Sequence, residues 1–156
     1  MKTSVCITVF NEEGSIRKLM DALLAQSEKP NEIVVVDSES TDKTGEILRY
    51  FQKKDRRVKV LTQKTTRAEA RNLSVEVAKN NIILMTDAGC VPSKDWVKNI
   101  TGPFKNKDVD MVAGFYKMKA KDKFQKAASV FLGVRPEDFN IHFLPSTRSV
   151  AFRREL

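Results

Sequence analysis

Three apolar runs in this 156-residue chain end on side chains that can do chemistry. The first, ITVF, contains Thr8 and leads into Asn11 and Glu12; the second, EIVVVD, delivers Asp37 and then Ser38; the third, NIILMTD, closes on Asp87. A fourth segment, TTRAEARN, adds Arg67, Arg71 and Asn72. Carboxylates accept from base N–H groups and ribose hydroxyls, while guanidinium forks and helix N-termini meet phosphates. This set of groups suits a nucleoside diphosphate. A carboxylate beside phosphates calls for a divalent cation, and Mg²⁺ typically takes only one or two protein carboxylates.

Alternating strand and helix signals must position these groups. Strands are predicted over 4–10, 32–37, 57–62, 81–87 and 109–115. The second is apolar on both faces, as a parallel sheet covered by helices requires. Between them, Ile16, Leu19, Met20, Leu23 and Leu24 follow helical spacing, and Ile47, Leu48 and Phe51 mark a second helix. Thr66 and Glu69 have capping-box spacing ahead of a third helix. Pro92 and Ser93 suit the entry of a fourth that carries Trp96, Val97 and Ile100. Alternating lysines over 115–121 suit an exposed strand, and PSTRSVAFRREL reads as a short strand and a helix start. The order implies an α/β fold with a mostly parallel central sheet and helices on both faces. In such sheets ligands lie beyond the carboxyl ends of the strands, where the polar residues collect.

The segments ITVFNEEGSI, EIVVVDSESTDKT, ARNLSVEVAKNNIILMTDAGC and SVAFRREL, in this order, resemble the family 2 glycosyltransferases of GT-A fold, a Rossmann-like nucleotide-diphospho-sugar transferase architecture. The resemblance covers essentially the whole chain. It implies transfer of a sugar from a nucleoside diphosphate sugar, UDP-sugar above all, to an acceptor, usually with inversion and with Mg²⁺ or Mn²⁺. It implies that Thr8, Asn11 and Glu12 flank the nucleoside, that Asp37 contacts the base, and that Arg71 and Asn72 lie beside the nucleotide. Ser38 replaces the second acid of the strand-two motif. TDAG matches the site usually written Asp-X-Asp, so Asp87 is the expected metal ligand and Gly89 stands where a second acid often stands.

The same resemblance places the general base of an inverting transferase after the segment that SVAFRREL matches. The sequence ends at Leu156, ahead of any such motif. We therefore expect one GT-A-like domain over 1–156, with 1–114 binding the nucleotide sugar and 115–156 beginning the acceptor-binding part, apparently truncated. The catalytic base is unknown. Glu137 and Asp138 read as a solvated loop and His142 as structural. The alternative is a nucleotide-sugar-binding fragment without catalysis.

Composition narrows the classes. A net charge of +8 and a pI near 9.6 favour anionic partners: nucleotide phosphates, nucleic acid or an acidic membrane surface. The lysines between 117 and 126 suit a solvated edge or peripheral contact with an anionic membrane. Nucleic acid is not expected, since no recognised motif accompanies the charge. No G-x-G-x-x-G or Walker motif occurs, which argues against dehydrogenases and P-loop nucleotidases. Cys6 and Cys90 make no disulfide framework, and Cys6 reads as a buried thiol. The expected setting is cytoplasmic, with the inner face of the membrane as a possible peripheral location. No apolar run reaches the roughly 20 residues of a membrane span.

Overall fold

A computed structural model describes residues 1–120, 122–132, 143 and 145–155, with the backbone alone for 130–132. Six strands form one mixed sheet: β1 (Thr3–Val9), β2 (Glu32–Asp37), β3 (Val58–Thr62), β4 (Ile82–Met85), β5 (Met111–Ala113) and β6 (Val150–Arg153). Their order across the sheet is β3-β2-β1-β4-β6-β5. β1 through β4 run parallel, with Val5 opposite Ile33 and Leu84. β6 is antiparallel to both neighbours and lies between β4 and β5, with Leu84 opposite Ala151 and Val112 opposite the same alanine.

The period-2 alternation of β1 divides the core. Val5, Ile7 and Val9 point to one face, where they pack with helices α1 (Ile16–Leu24), α2 (Thr44–Lys54) and α4 (Trp96–Thr101) through Leu19, Leu23, Phe51 and Val97. Cys6 points to the other face and joins Val34, Ile83 and Val150 against the end of α3 (Arg67–Val77). Helices therefore cover both faces. The Cys6 thiol donates to the Ser74 carbonyl at 3.2 Å, and burial pushes it up to about 12. α3 opens on the expected capping box: Thr66 Oγ1 accepts from the Glu69 amide, and Glu69 accepts from the Thr66 amide at 2.7 Å. α5 (Lys123–Leu132) follows β5.

Three local expectations differ. α4 begins at Trp96, not at Pro92, because the carbonyls of residues 93 and 94 accept from groups outside the helix. The Gln26 side-chain amide donates to the Ser93 carbonyl at 2.7 Å, and the Ser27 amide donates to the Lys94 carbonyl at 2.9 Å. Residues 115–120 form no strand: β5 stops at Ala113, and the Gly114 amide donates to the Ser149 carbonyl at 2.8 Å before the chain departs. β6 is followed by a turn and not by a helix start within the described residues. Glu137, Asp138 and His142 lie outside the described residues.

Candidate nucleotide-sugar site

The carboxyl ends of β1 and β4 border a cleft of about 540 Å³. Thr8 and Glu12 line it from β1 and its following loop, and Ser38 from the end of β2. Arg67 and Arg71 enter from the first half of α3, and Asp87 and Gly89 from the loop after β4. Six residues singled out from the sequence thus share one cavity. Phe10 shares the wall, and the structure adds Lys64 and Thr65. Ser38 Oγ and Thr65 Oγ1 lie 2.8 Å apart, which ties the β2 and β3 ends together.

Asn11 and Asp37 stand behind the wall. Asp37 is buried at 2% exposure; its Oδ1 accepts from the Ser40 amide at 2.9 Å and from the Ser40 hydroxyl at 2.6 Å. Its Oδ2 faces the Gly45 side, where an added Cβ would lie 3.3 Å away. Asp37 lines a separate hollow of about 510 Å³ against α2, together with Ser40, Asp42 and Arg49. Acids outnumber cations in that hollow, Glu13, Asp37, Asp42 and Glu46 against Lys43 and Arg49, whereas the first cleft gathers Lys64, Arg67 and Arg71 with Glu12 and Asp87. Asn72 is exposed on α3 and lines neither cavity.

The electrostatic centre of the cleft is Asp87. Arg71 Nη2 lies 3.5 Å from Asp87 Oδ1, and the Thr147 hydroxyl donates toward Asp87 Oδ2 at 3.4 Å. The Asp87 carbonyl accepts the Cys90 amide at 2.9 Å, closing the turn that presents the carboxylate. No group of three or more metal-ligating side chains occurs among the described residues, and Gly89 has no neighbour within 4 Å of an added Cβ. The donor set does not fit a protein-only metal cage. It fits a water-rich Mg²⁺ or Mn²⁺ held by one carboxylate and by substrate phosphates.

A mostly parallel α/β sheet, with three cations and two acids gathered beyond the carboxyl ends of its parallel strands, is the architecture of the GT-A fold. The chain belongs to Glycosyl transferase family 2, whose profile it matches over residues 4–154. It is 32% identical over 115 residues to the glycosyltransferase GlyG of Streptococcus pneumoniae serotype 4, a stretch covering 72% of this chain and 38% of GlyG. Among solved structures it resembles S. aureus TarS in complex with UDP (TM-score 0.67, 26% identity, 78% of this chain and 38% of that one). Its fold also matches the mannosyltransferase PcManGT from Pyrobaculum calidifontis, solved with GDP-Man and Mn²⁺ (TM-score 0.73, 24% identity, 99% of this chain and 45% of that one). The chain therefore spans less than half the length of these relatives.

Proposed function

We propose that the cleft binds a nucleoside diphosphate sugar, a UDP-sugar first, and that the chain is the donor-binding part of an inverting glycosyltransferase. The observation that carries this reading is the approach of Arg71 to Asp87, with Arg67 and Lys64 on the same cleft. A diphosphate needs cations from the protein, and a cation bridging it needs one carboxylate. Arg67, Arg71 and Lys64 take the phosphates. Thr8, Glu12, Ser38 and Thr65 face the nucleoside, with Asn11 and Asp37 holding the two loops that carry them. Asp87 holds the divalent ion, which would neutralise the charge of the leaving diphosphate. The complexes of TarS with UDP and of PcManGT with GDP-Man and Mn²⁺ support the ligand class.

The acceptor in this reading is a glycan, a lipid-linked sugar or a polysaccharide precursor. Lys117, Lys119, Lys123 and Lys126 are exposed, and Phe124 is 82% exposed among them. Basic and aromatic side chains together suit peripheral contact with the anionic inner face of a membrane. No helix among the described residues is long and apolar enough to cross one. Gly89, which stands where the family's motif often has a second acid, favours the second reading, a fragment that binds donor without turnover.

Calorimetric titration with UDP, GDP and dTDP, each with and without Mn²⁺, tests the reading. Metal-strengthened binding that Asp87→Ala abolishes is the expected result. Failure of the wild-type chain to bind any of the three overturns it. Binding without sugar release from UDP-sugars selects the second reading.

A further inference from the structure

We infer that Thr147 is a positioning residue of the donor cleft: its hydroxyl keeps Arg71 and Asp87 apart, leaving the guanidinium for the diphosphate and the carboxylate for a cation. The inference rests on the donor-site reading above. Arg71 Nη2 donates to Thr147 Oγ1 at 3.1 Å, and the same hydroxyl donates toward Asp87 Oδ2 at 3.4 Å. The direct Arg71–Asp87 approach is 3.5 Å. Charge-assisted pairs close to about 2.7–2.9 Å when nothing competes, and Arg and carboxylate then favour a two-pronged contact. A hydroxyl can accept one hydrogen bond and donate another at once. Thr147 uses both capacities, one toward each member of the pair.

The hydroxyl has a fixed place because its turn is anchored on every side. The Ser149 amide donates to the Ser146 carbonyl at 2.9 Å, closing the turn. Thr86 Oγ1, at the end of β4, donates to the Arg148 carbonyl at 3.1 Å. The Trp96 indole N–H donates to Ser149 Oγ at 3.0 Å. Arg148 lies over the Tyr116 ring at 5.2 Å from its centroid. Thr147 is itself half-buried. The residues flanking it are fastened to β4, α4 and the segment after β5, so the hydroxyl reaches the cleft as part of the framework.

Its importance grows from Gly89. With no second acid beside it, Asp87 is the sole carboxylate on the β4 side of the cleft. A closed Arg71–Asp87 pair would remove one cation-binding group and one phosphate-binding group together. Removing the hydroxyl permits that closure.

The test is calorimetry of UDP with Mn²⁺ and with chelator, on the wild type, Thr147→Val, Thr147→Ser, Arg71→Met and the Thr147→Val/Arg71→Met double variant. Thr147→Val should weaken Mn²⁺-supported UDP binding roughly tenfold, the worth of about one hydrogen bond to a charged group. Thr147→Ser should restore it. The double variant should bind no worse than Arg71→Met alone, since Thr147 acts through the guanidinium. An unchanged melting temperature in Thr147→Val separates this from a loss of fold. Wild-type affinity in Thr147→Val, or losses that add in the double variant, overturns the inference alone. A wild-type chain that binds no nucleotide overturns the donor reading and this inference with it.

Discussion

Asn11 Oδ1 accepts the Thr41 amide at 2.8 Å, which stitches the loop after β1 to the loop after β2. The Asn11 amide in turn donates to Ser40 Oγ at 2.9 Å, and the Glu12 amide donates to Thr44 Oγ1 at 2.7 Å. Asn11 holds a left-handed backbone, φ 54°, which Asn tolerates better than most residues. Ser40 is itself held by buried Asp37, so the two loops and that carboxylate form one polar unit behind the cleft.

Replacing Asn11 with Ala should cost about 1–3 kcal/mol, since it removes the acceptor and leaves a Cβ residue in a left-handed conformation without local compensation. Asn11→Gly should cost less, because only the acceptor is lost. Urea unfolding of the two variants measures the difference. Equal stability in both would mean that the backbone conformation carries no strain.

Gly89→Asp should tighten Mn²⁺-dependent UDP binding by roughly tenfold, by giving the cation a second carboxylate. The position accepts a side chain: an added Cβ meets nothing within 4 Å, and no glycine has a positive φ among the described residues. Metal-free UDP binding should fall in the same variant, because the new charge repels the phosphates. Titrations with and without Mn²⁺ read both directions, and parallel changes in the two would contradict the assignment of the cation to Asp87.

Stability at acid pH should depend on Asp55. Hydrogen bonds from the Arg57 guanidinium, Nη2 to Oδ2 at 2.7 Å and Nε to Oδ1 at 3.0 Å, hold this carboxyl down from 3.8 to about 2. A depressed folded-state value stabilises the protein fully above the unfolded value and loses that contribution as pH falls. The melting temperatures of wild type and Asp55→Asn should therefore differ by a constant amount above about pH 5. They should converge between about pH 4 and pH 2. A gap as large at pH 2 as at pH 6 would assign the effect to packing.

Much of this arrangement was legible in the sequence. β1, β2 and β4 announced themselves because each is a short apolar run, and α3 because Thr66 and Glu69 satisfy each other locally. The cleft was legible to the same degree: Thr8, Glu12, Ser38, Arg67, Arg71 and Asp87 sit at strand ends and helix starts, and topology alone brings those together. What was not legible depends on distant partners. The alternating lysines after Phe115 have strand periodicity, yet none of the described residues 115–120 joins the sheet. Pro92 and Ser93 suit a helix start, yet Gln26 and Ser27 claim the carbonyls of residues 93 and 94. Asn72 follows Arg71 in sequence but points away from the cleft, because adjacent helical residues are turned about a quarter circle or more apart. Thr147 gave no local signal, since its partners lie 60 and 76 positions earlier.

The place of β6 ties the last described strand to the cleft. β5 ends at Ala113 and β6 begins at Val150, yet β6 lies inside the sheet and touches both β4 and β5. β4 and β5 do not pair with each other in the sheet; β6 joins them, and β4 is the strand that ends beside Asp87. The turn that brings Thr147 to the cleft leads directly into Val150. The β4–β6–β5 part of the sheet and the placement of Thr147 beside Asp87 thus depend on the same late stretch of sequence.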